Sequence, residues 1–292
     1  MIPAARSVQS VPQAQALVLR GLALTYIGFM LLLPVGGLIW YASRRSLAEV
    51  LPLITDPVAI ETYKLTFGGA IVSATINTVF GGILAWVLTR YQFWGRRLVD
   101  GLVDLPFAMP AVVAGISLVS LYTANGAIGQ FFAPDTWLGR WLAQQLGREE
   151  VNLTASVFGV LMAQIFVTLP FVVRTLQPVL LELEPEVEEA AALLGANPWQ
   201  IFWRVTFPQI LPAVLAGFSL AVARAIGEYG VVTLVSGNIP YQTLVSTVYV
   251  YQRLEEFDIA GATVIAVTLL LVSLVLLALI NLLQRWSRRF LV

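Results

Sequence analysis

The 292-residue sequence contains no cysteine, no histidine and a single lysine, Lys64. Without cysteine and histidine there can be no disulfide, no cysteine nucleophile, no imidazole acid–base chemistry and no metal site built from these side chains. Charged residues make up only 12% of the chain and the formal net charge is zero, so nothing indicates nucleic-acid binding. A phosphate-binding P-loop needs a Gly-Lys pair, and Tyr63 precedes Lys64, so the chain has no ATPase motif of its own.

Apolar sequence is abundant instead, at 58% of residues, with a mean hydropathy of +0.82. About 20 consecutive apolar residues can cross a bilayer as a helix. Such stretches predict six spans, at about 21–42, 65–89, 99–123, 155–181, 209–236 and 260–284. We therefore expect an all-α, polytopic membrane protein. A cleaved signal peptide is the weaker alternative for the first span, because that span lacks a clear small-x-small cleavage site.

The arginines and the lysine predict the orientation. If the amino terminus is cytoplasmic, ten of these residues lie on the inner side and six on the outer side, as the positive-inside rule requires. Arg174, near the inner end of the fourth span, is then expected to snorkel to the inner interface. The predicted organisation is a cytoplasmic segment, a first helix with an outer loop, a core with its loop 185–208, and a cytoplasmic tail, over residues 1–20, 21–62, 63–284 and 285–292.

The loop 185–208 is unusually polar and small for this chain. Pro185 suits the first position of a helix, and the alanines 190–192 favour helix while projecting little from it. Gly195 can adopt the left-handed conformation that ends a helix, and Asn197 can cap a second one. Two short helices with a sharp elbow are therefore predicted, with a smooth surface facing the cytoplasm. The alternative interpretation is an interfacial helix that only anchors the fifth span.

The spacing of this loop resembles the signature E-A-A-x3-G-x9-I-x-L-P of ABC importer permeases. Two positions differ conservatively, because Val205 stands where isoleucine is usual and Phe207 where leucine is usual. In that family the loop forms coupling helices that dock on the nucleotide-binding subunit. The resemblance implies that the coupling residues are Glu189, Ala190, Ala191, Gly195 and Pro208.

A second segment, residues 224–230, resembles the R-A-x-G-E-F-G stretch of sulfate, thiosulfate and molybdate permeases. Residues 237–240 and 252–258 look most like the T-type permease subunit of sulfate/thiosulfate importers. The resemblance implies the type I importer fold in a bacterial inner membrane, with both termini cytoplasmic. The implied partners are a W-type permease, two copies of an ATPase that binds ATP and magnesium, and a periplasmic sulfate/thiosulfate-binding protein.

Arg224 and Glu228 are charged residues within the predicted fifth span. Each costs about 3 kcal/mol at a helix centre on insertion scales, so each needs a partner or water. Their spacing of four residues would place them on one helical face as an ion pair. We expect a packing or gate role. The alternative places the Arg224 guanidinium on the path of the oxyanion.

Three other functions stay open on the sequence alone. A molybdate-type oxyanion permease would share most of the same motifs. An ion-coupled secondary transporter would need its own coupling-ion site and often shows internal repeats, and the two halves of this sequence show no convincing repeat. A membrane-embedded enzyme would need a nucleophile with a base or a metal cluster, and the absence of cysteine and histidine argues against it.

Overall fold

The computed structural model describes residues 13–147 and 150–288, and every regular element in these ranges is helical. The predicted terminal segments fall partly outside them, because residues 1–12 and 289–292 are not described. The chain divides into two units, Met1–Val50 and Leu51–Val292. The first unit contains α1 (Gln13–Ile27), a π-helical turn and α2 (Leu33–Ser43). The boundary between the units lies within a short helix, α3 (Leu47–Ile54).

The second unit contains twelve further α-helices among its described residues. They are α4 (Pro57–Arg90), α5 (Arg96–Val103), α6 (Leu105–Ala108), α7 (Ala111–Tyr122), α8 (Trp137–Leu146), α9 (Val157–Glu182), α10 (Pro185–Leu193), α11 (Pro198–Ile201), α12 (Phe207–Ile226), α13 (Gly230–Val235), α14 (Ser246–Glu255) and α15 (Ile259–Arg288). A 3-10 turn (Gly129–Phe132) precedes α8, and a π-helical segment (Phe202–Thr206) joins α11 to α12.

Within the described residues, five helical stretches are long and apolar enough to cross a membrane. They are Leu17–Ser43, Pro57–Arg90, Val157–Glu182, Pro198–Ile226 and Ile259–Leu282. These overlap the predicted first, second, fourth, fifth and sixth spans. The second span begins eight residues earlier than predicted, at Pro57, because Asp56 caps the helix and its carboxylate accepts a hydrogen bond from the Val58 amide at 2.7 Å.

The prediction of one continuous third span over 99–123 is wrong. Its residues form three shorter helices, α5, α6 and α7, and only α7 is a continuous apolar helix of more than eight residues. Pro106 lies in the first turn of α6 and Pro110 is the N-cap of α7. Each proline lacks an amide hydrogen and clashes with the preceding helical turn, so it starts a new helix instead of continuing the old one.

The prediction of one helix over 209–236 is also wrong. The helix begins earlier, because Pro198–Ile226 is continuous through the π-helical segment, and it ends at Ile226 with Gly227 as C-cap. A separate helix, α13, follows after a short break. Glu228 therefore lies beyond the end of the spanning helix, not on its face.

The core of the second unit is formed by α4, α9 and α12, which pack against one another. Small residues permit the close approach: a Cβ on Gly217 of α12 would lie 3.2 Å from the Val172 Cα of α9. Asn77, which is 1% exposed, donates hydrogen bonds from Nδ2 to the Ile165 carbonyl (2.9 Å) and to Thr168 Oγ1 (2.8 Å). Helices α4 and α9 are thus joined by polar contacts inside an apolar interface.

Candidate functional site

The loop after α9 folds as the sequence predicts, into a helix followed by a sharp turn. Pro185 occupies the first turn of α10, and the chain turns at Gly195, whose φ is +86°. Asn197 then caps the next helix in a reciprocal capping box, its Oδ1 accepting from the Gln200 amide at 2.9 Å while Gln200 Oε1 accepts from the Asn197 amide. Both helix ends at this elbow are therefore fixed by local sequence.

One side of this elbow is exposed and apolar. Leu193 and Leu194, which immediately precede Gly195, are 89% and 90% exposed. Glu189 and Ala190 are exposed as well, and Ala191 is half-buried. Two exposed leucines beside small side chains form an apolar surface that another protein surface could cover. Three residues of the family signature, Glu189, Ala190 and Gly195, are thus exposed in this stretch.

Glu188, the neighbour of Glu189, contacts the second spanning helix. The Arg90 guanidinium, in the last turn of α4, donates from Nη2 to Oε1 at 2.8 Å and from Nη1 to Oε2 at 3.2 Å. Thr206 Oγ1 donates to the same Oε1 at 2.9 Å. The sequence alone does not predict these contacts of Glu188, since its partners lie 98 and 18 residues away.

Aromatic side chains surround this arginine. The Arg90 guanidinium carbon lies 5.0 Å from the centre of the Trp86 ring, a cation–π contact. The Trp86 ring meets the Phe202 ring edge-on, with centroids 5.7 Å apart. Arg90 Nε is buried and has no hydrogen-bond partner among the described residues. The guanidinium orientation is therefore fixed by its fork with Glu188 and by the indole.

Pro208, the last residue of the family signature, lies in the first turn of α12. The preceding π-helical segment has a wider turn, in which the Phe207 amide donates to the Phe202 carbonyl. This wider turn lies where the Pro208 ring would meet the Arg204 carbonyl in a regular α-helix. The proline thus marks the junction between the elbow and the fifth span.

Arg224 and Glu228 form the expected contact, with Arg224 Nη1 2.5 Å from Glu228 Oε2. The two side chains differ in burial: Glu228 is 2% exposed and Arg224 is 37% exposed. Glu228 Oε1 also accepts a hydrogen bond from the Val231 amide at 2.8 Å, at the start of α13. The carboxylate therefore joins the end of α12 to the beginning of α13. The contact with α13 does not follow from the predicted single span over 209–236.

Arg174 does not snorkel freely but is held by the broken third span. Its Nε and Nη2 donate to both carboxylate oxygens of Asp104, at 2.7 and 2.6 Å, and its Nη1 donates to Asp100 Oδ1 at 2.7 Å. Gln177 Nε2 donates to the same Asp100 oxygen at 3.0 Å. Two carboxylates four residues apart in one predicted span and an arginine in the next were the signal that could have revealed this network.

A further charged cluster connects the beginnings of α4 and α15 with α14, in the predicted outer region. Arg253 contacts Asp56 Oδ2 at 3.1 Å and Asp258 Oδ2 at 3.3 Å. Arg253 Nε also donates to the Tyr249 hydroxyl at 3.1 Å. Burial raises the pKa of that hydroxyl, so it stays protonated and donates toward Asp56, 3.4 Å away. Asp56 and Asp258 each also cap a helix start.

Apolar helices long enough to cross a bilayer, with an exposed elbow between two of them, are the architecture of a multi-pass membrane protein. The family described as binding-protein-dependent transport system inner membrane component matches residues 77–290. The chain belongs to this family. Its members are transport permeases, which agrees with the resemblance drawn from the sequence.

Three curated relatives are similar over almost their whole length. The sulfate transport system permease protein CysT of Synechococcus elongatus is 48% identical over 265 residues, covering 91% of this chain and 90% of the relative. CysT of Escherichia coli strain K12 is 43% identical over 270 residues, 92% of each chain. The probable sulfate transport system permease protein of Nephroselmis olivacea is 46% identical over 270 residues, 92% of this chain and 90% of the relative.

Two solved structures share the fold. A chain of a bacterial ABC transporter involved in alginate import matches with a TM-score of 0.69 at 18% identity, covering 94% of this chain and 96% of that chain. A chain of the MetNI methionine ABC transporter in an inward-facing conformation matches with a TM-score of 0.52 at 20% identity, covering 80% and 95%. The predicted ABC importer permease fold is thus confirmed.

Proposed function

We propose that this chain is the membrane-spanning permease subunit of an ATP-driven importer that moves sulfate, and thiosulfate, into the cell. The support for the substrate is the similarity to sulfate permeases, at 43–48% identity over about nine-tenths of the chain. The support for ATP-driven transport is the family itself together with the ABC transporter fold. The chain contributes the membrane path, and a separate subunit supplies ATP hydrolysis with its magnesium.

Coupling to that ATPase occurs at the elbow, and the observation that carries this proposal is its exposed apolar surface. Leu193 and Leu194 are almost fully exposed at the end of α10, beside Glu189. Such side chains cost free energy in water, so a cleft on a partner would favour their burial. Gly195 keeps the elbow sharp, since a left-handed φ is costly for other residues.

The complete importer contains further subunits. We assign to it a second, W-type permease, two copies of the ATPase and a periplasmic binding protein that delivers the anion. One solved relative of the fold is an alginate ABC transporter in complex with a pentasaccharide-bound periplasmic protein, which supports the last of these partners in general. The excess of arginine on one side supports an inner-membrane orientation with both termini cytoplasmic.

Within the membrane, Arg224 and Glu228 serve as a packing or gate element. Glu228 is buried, and both of its oxygens have partners, Arg224 and the Val231 amide. A carboxylate beside the guanidinium cancels its charge, which disfavours a tight resting site for sulfate at Arg224. The pair instead holds the break between α12 and α13 in one geometry.

Reconstitution in proteoliposomes tests the proposal. The chain, its partner permease, the ATPase and the binding protein are purified together and placed in proteoliposomes. Radioactive sulfate uptake is then measured with and without ATP in the compartment that the ATPase subunits face. Uptake that needs both ATP and the binding protein is expected, with competition by thiosulfate. Competition by molybdate alone would indicate the molybdate-type alternative. Uptake without any ATPase, driven by an ion gradient, would indicate a secondary transporter.

A further inference from the structure

The fork between Arg90 and Glu188 joins parts of the chain that are distant in sequence. Arg90 lies in the last turn of α4, and Glu188 lies in the first turn of α10. Each charge has the sign that its helix end favours, because a helix carboxyl end attracts cations and an amino end attracts anions. Thr206, 1% exposed and next to the start of α12, completes the contact. One carboxylate thus connects the elbow to two spanning helices.

The contact leaves Glu188 little capacity for an outside partner. Its Oε1 accepts from Arg90 and from Thr206, and its Oε2 accepts from Arg90. The Glu188 side chain is 26% exposed and that of Arg90 is 23% exposed. Glu189, by contrast, is exposed and free to face a partner. The two adjacent glutamates therefore differ in environment, Glu188 being paired within the chain and Glu189 being exposed.

Aromatic rings restrict the Arg90 side chain in its contact with Glu188. The Arg90 guanidinium stacks over Trp86, which comes from the preceding helical turn, and Trp86 in turn contacts Phe202 of the π-helical segment. A paired guanidinium held between a carboxylate and an indole has few alternative rotamers. These contacts favour movement of α10 together with the ends of α4 and α12 that it joins.

We propose that Arg90 and Glu188 are positioning residues of the transport cycle, which fasten the docking helix α10 to the second and fifth spans so that the three move as one body. The inference rests on the proposed function, since it assumes that an ATPase docks on α10. We assign neither residue a contact with the transported anion. Their role is to convert motion of the docked elbow into motion of the spans.

The test uses the complete importer with Glu188→Gln, Arg90→Gln and the exchanged pair Arg90→Glu with Glu188→Arg. Glu186→Gln is the matched control, because Glu186 is an exposed acid of the same helical turn. Three quantities are measured for each: ATPase retained in the purified complex, ATP hydrolysis, and sulfate taken up per ATP. The unmodified complex is assayed first, and ATP-independent uptake there would contradict the proposed function itself, whatever the variants do.

For each single variant we expect a full complement of ATPase, near-normal hydrolysis and an about tenfold loss of sulfate transported per ATP. The exchanged pair should regain about half of the loss, since its charges attract again but oppose the helix dipoles. Uptake per ATP that is unchanged in both single variants would overturn the proposal. Loss of the ATPase from the single variants, without rescue by the exchange, would also overturn it, by making the pair a docking or folding contact.

A distance measurement gives a readout that a merely structural contact would not change. Because the chain has no cysteine, spin labels can be placed through Glu186→Cys and Tyr91→Cys, both exposed, with cysteine-free partner subunits. With Glu188 intact, the distance between the labels should stay the same through the ATP cycle. With Glu188→Gln it should broaden when ATP is bound. A distance that changes equally with Glu188 and with Glu188→Gln would refute the proposal that the Arg90–Glu188 pair fastens α10 to the spans.

Discussion

Two ion pairs in this permease each join an arginine to a glutamate, but they differ in burial and in the separation of the two residues in sequence. Arg224 and Glu228 are four residues apart, and the acid is almost completely buried. Arg90 and Glu188 are 98 residues apart, and both side chains are about one-quarter exposed. The first pair fixes a local break between two helices, whereas the second fastens a surface elbow to the spanning core. Burial and separation in sequence, not charge, therefore distinguish the two pairs.

The comparison predicts which arginine is more costly to remove. We expect Arg224→Ala to have the largest effect, because it leaves the buried Glu228 carboxylate without its countercharge. Stranding one member of a buried pair costs about 3 kcal/mol or more. Unfolding of the purified permease in mixed micelles, by titration with a denaturing detergent, measures the loss of free energy.

The same pair contains its own controls. Glu228→Gln should cost less than Arg224→Ala, because the amide can still accept from Val231 and Arg224, 37% exposed, can reach water. The double variant Arg224→Met with Glu228→Gln should recover most of the stability and of the sulfate uptake. A double variant that assembles normally yet does not transport would show instead that Arg224 meets the anion.

Gly195→Val has a smaller expected effect on stability and a strong effect on coupling. An added Cβ would meet nothing within 4 Å, so the penalty comes only from the left-handed φ of +86°. That penalty is about 1–2 kcal/mol for a residue with a side chain. The elbow should relax, and sulfate uptake and stimulated ATP hydrolysis should both fall. In Gly195→Asn the asparagine tolerates this conformation better, so this variant should retain more of both activities. Equal activities in the two variants would show that the left-handed conformation at residue 195 does not matter for coupling.

Arg90→Ala is expected to destabilise the fold less than Arg224→Ala or Gly195→Val. It leaves Glu188 partly exposed and still hydrogen-bonded to Thr206, so water can solvate the carboxylate. Exposed and half-exposed pairs contribute about 1 kcal/mol or less to stability. The same detergent titration measures it. A loss as large as that of Arg224→Ala would mean that burial does not distinguish the two pairs.

The two pairs also show what the sequence could predict. The sequence predicts local features well: Pro185, Gly195 and Asn197 act within a few residues, and the apolar runs predict the first, fourth and sixth spans to within a few residues. The breaks in the third and fifth spans were not predicted. Pro106 and Pro110 lie within an apolar stretch that hydropathy alone predicts as one span, and hydropathy does not report the end of α12 at Ile226.

Contacts between distant segments were missed for a different reason. Glu188 and Glu189 are identical neighbours, and only the packing of α4 against the elbow decides which of them turns inward. Likewise, Arg174 meets Asp100 and Asp104 only because the third span breaks. The family signature singles out Glu189, yet the charge that joins the elbow to the core belongs to Glu188.

The smallest effect on sulfate uptake is expected from a single cysteine at Gln252. Together with a cysteine at Gly195, it tests by labelling whether the Arg90–Glu188 pair lies on the cytoplasmic side. Single cysteines at Gly195 and Gln252 have no background, because the chain contains no cysteine. The first should react with an impermeant maleimide only from the cytoplasm and the second only from the periplasm. Because Gln252 lies in α14, away from the elbow, its cysteine variant should keep near-normal sulfate uptake and serve as the functional control. The reverse labelling pattern would place the elbow outside, where no ATP is available, and would remove the physical basis for coupling through Glu188.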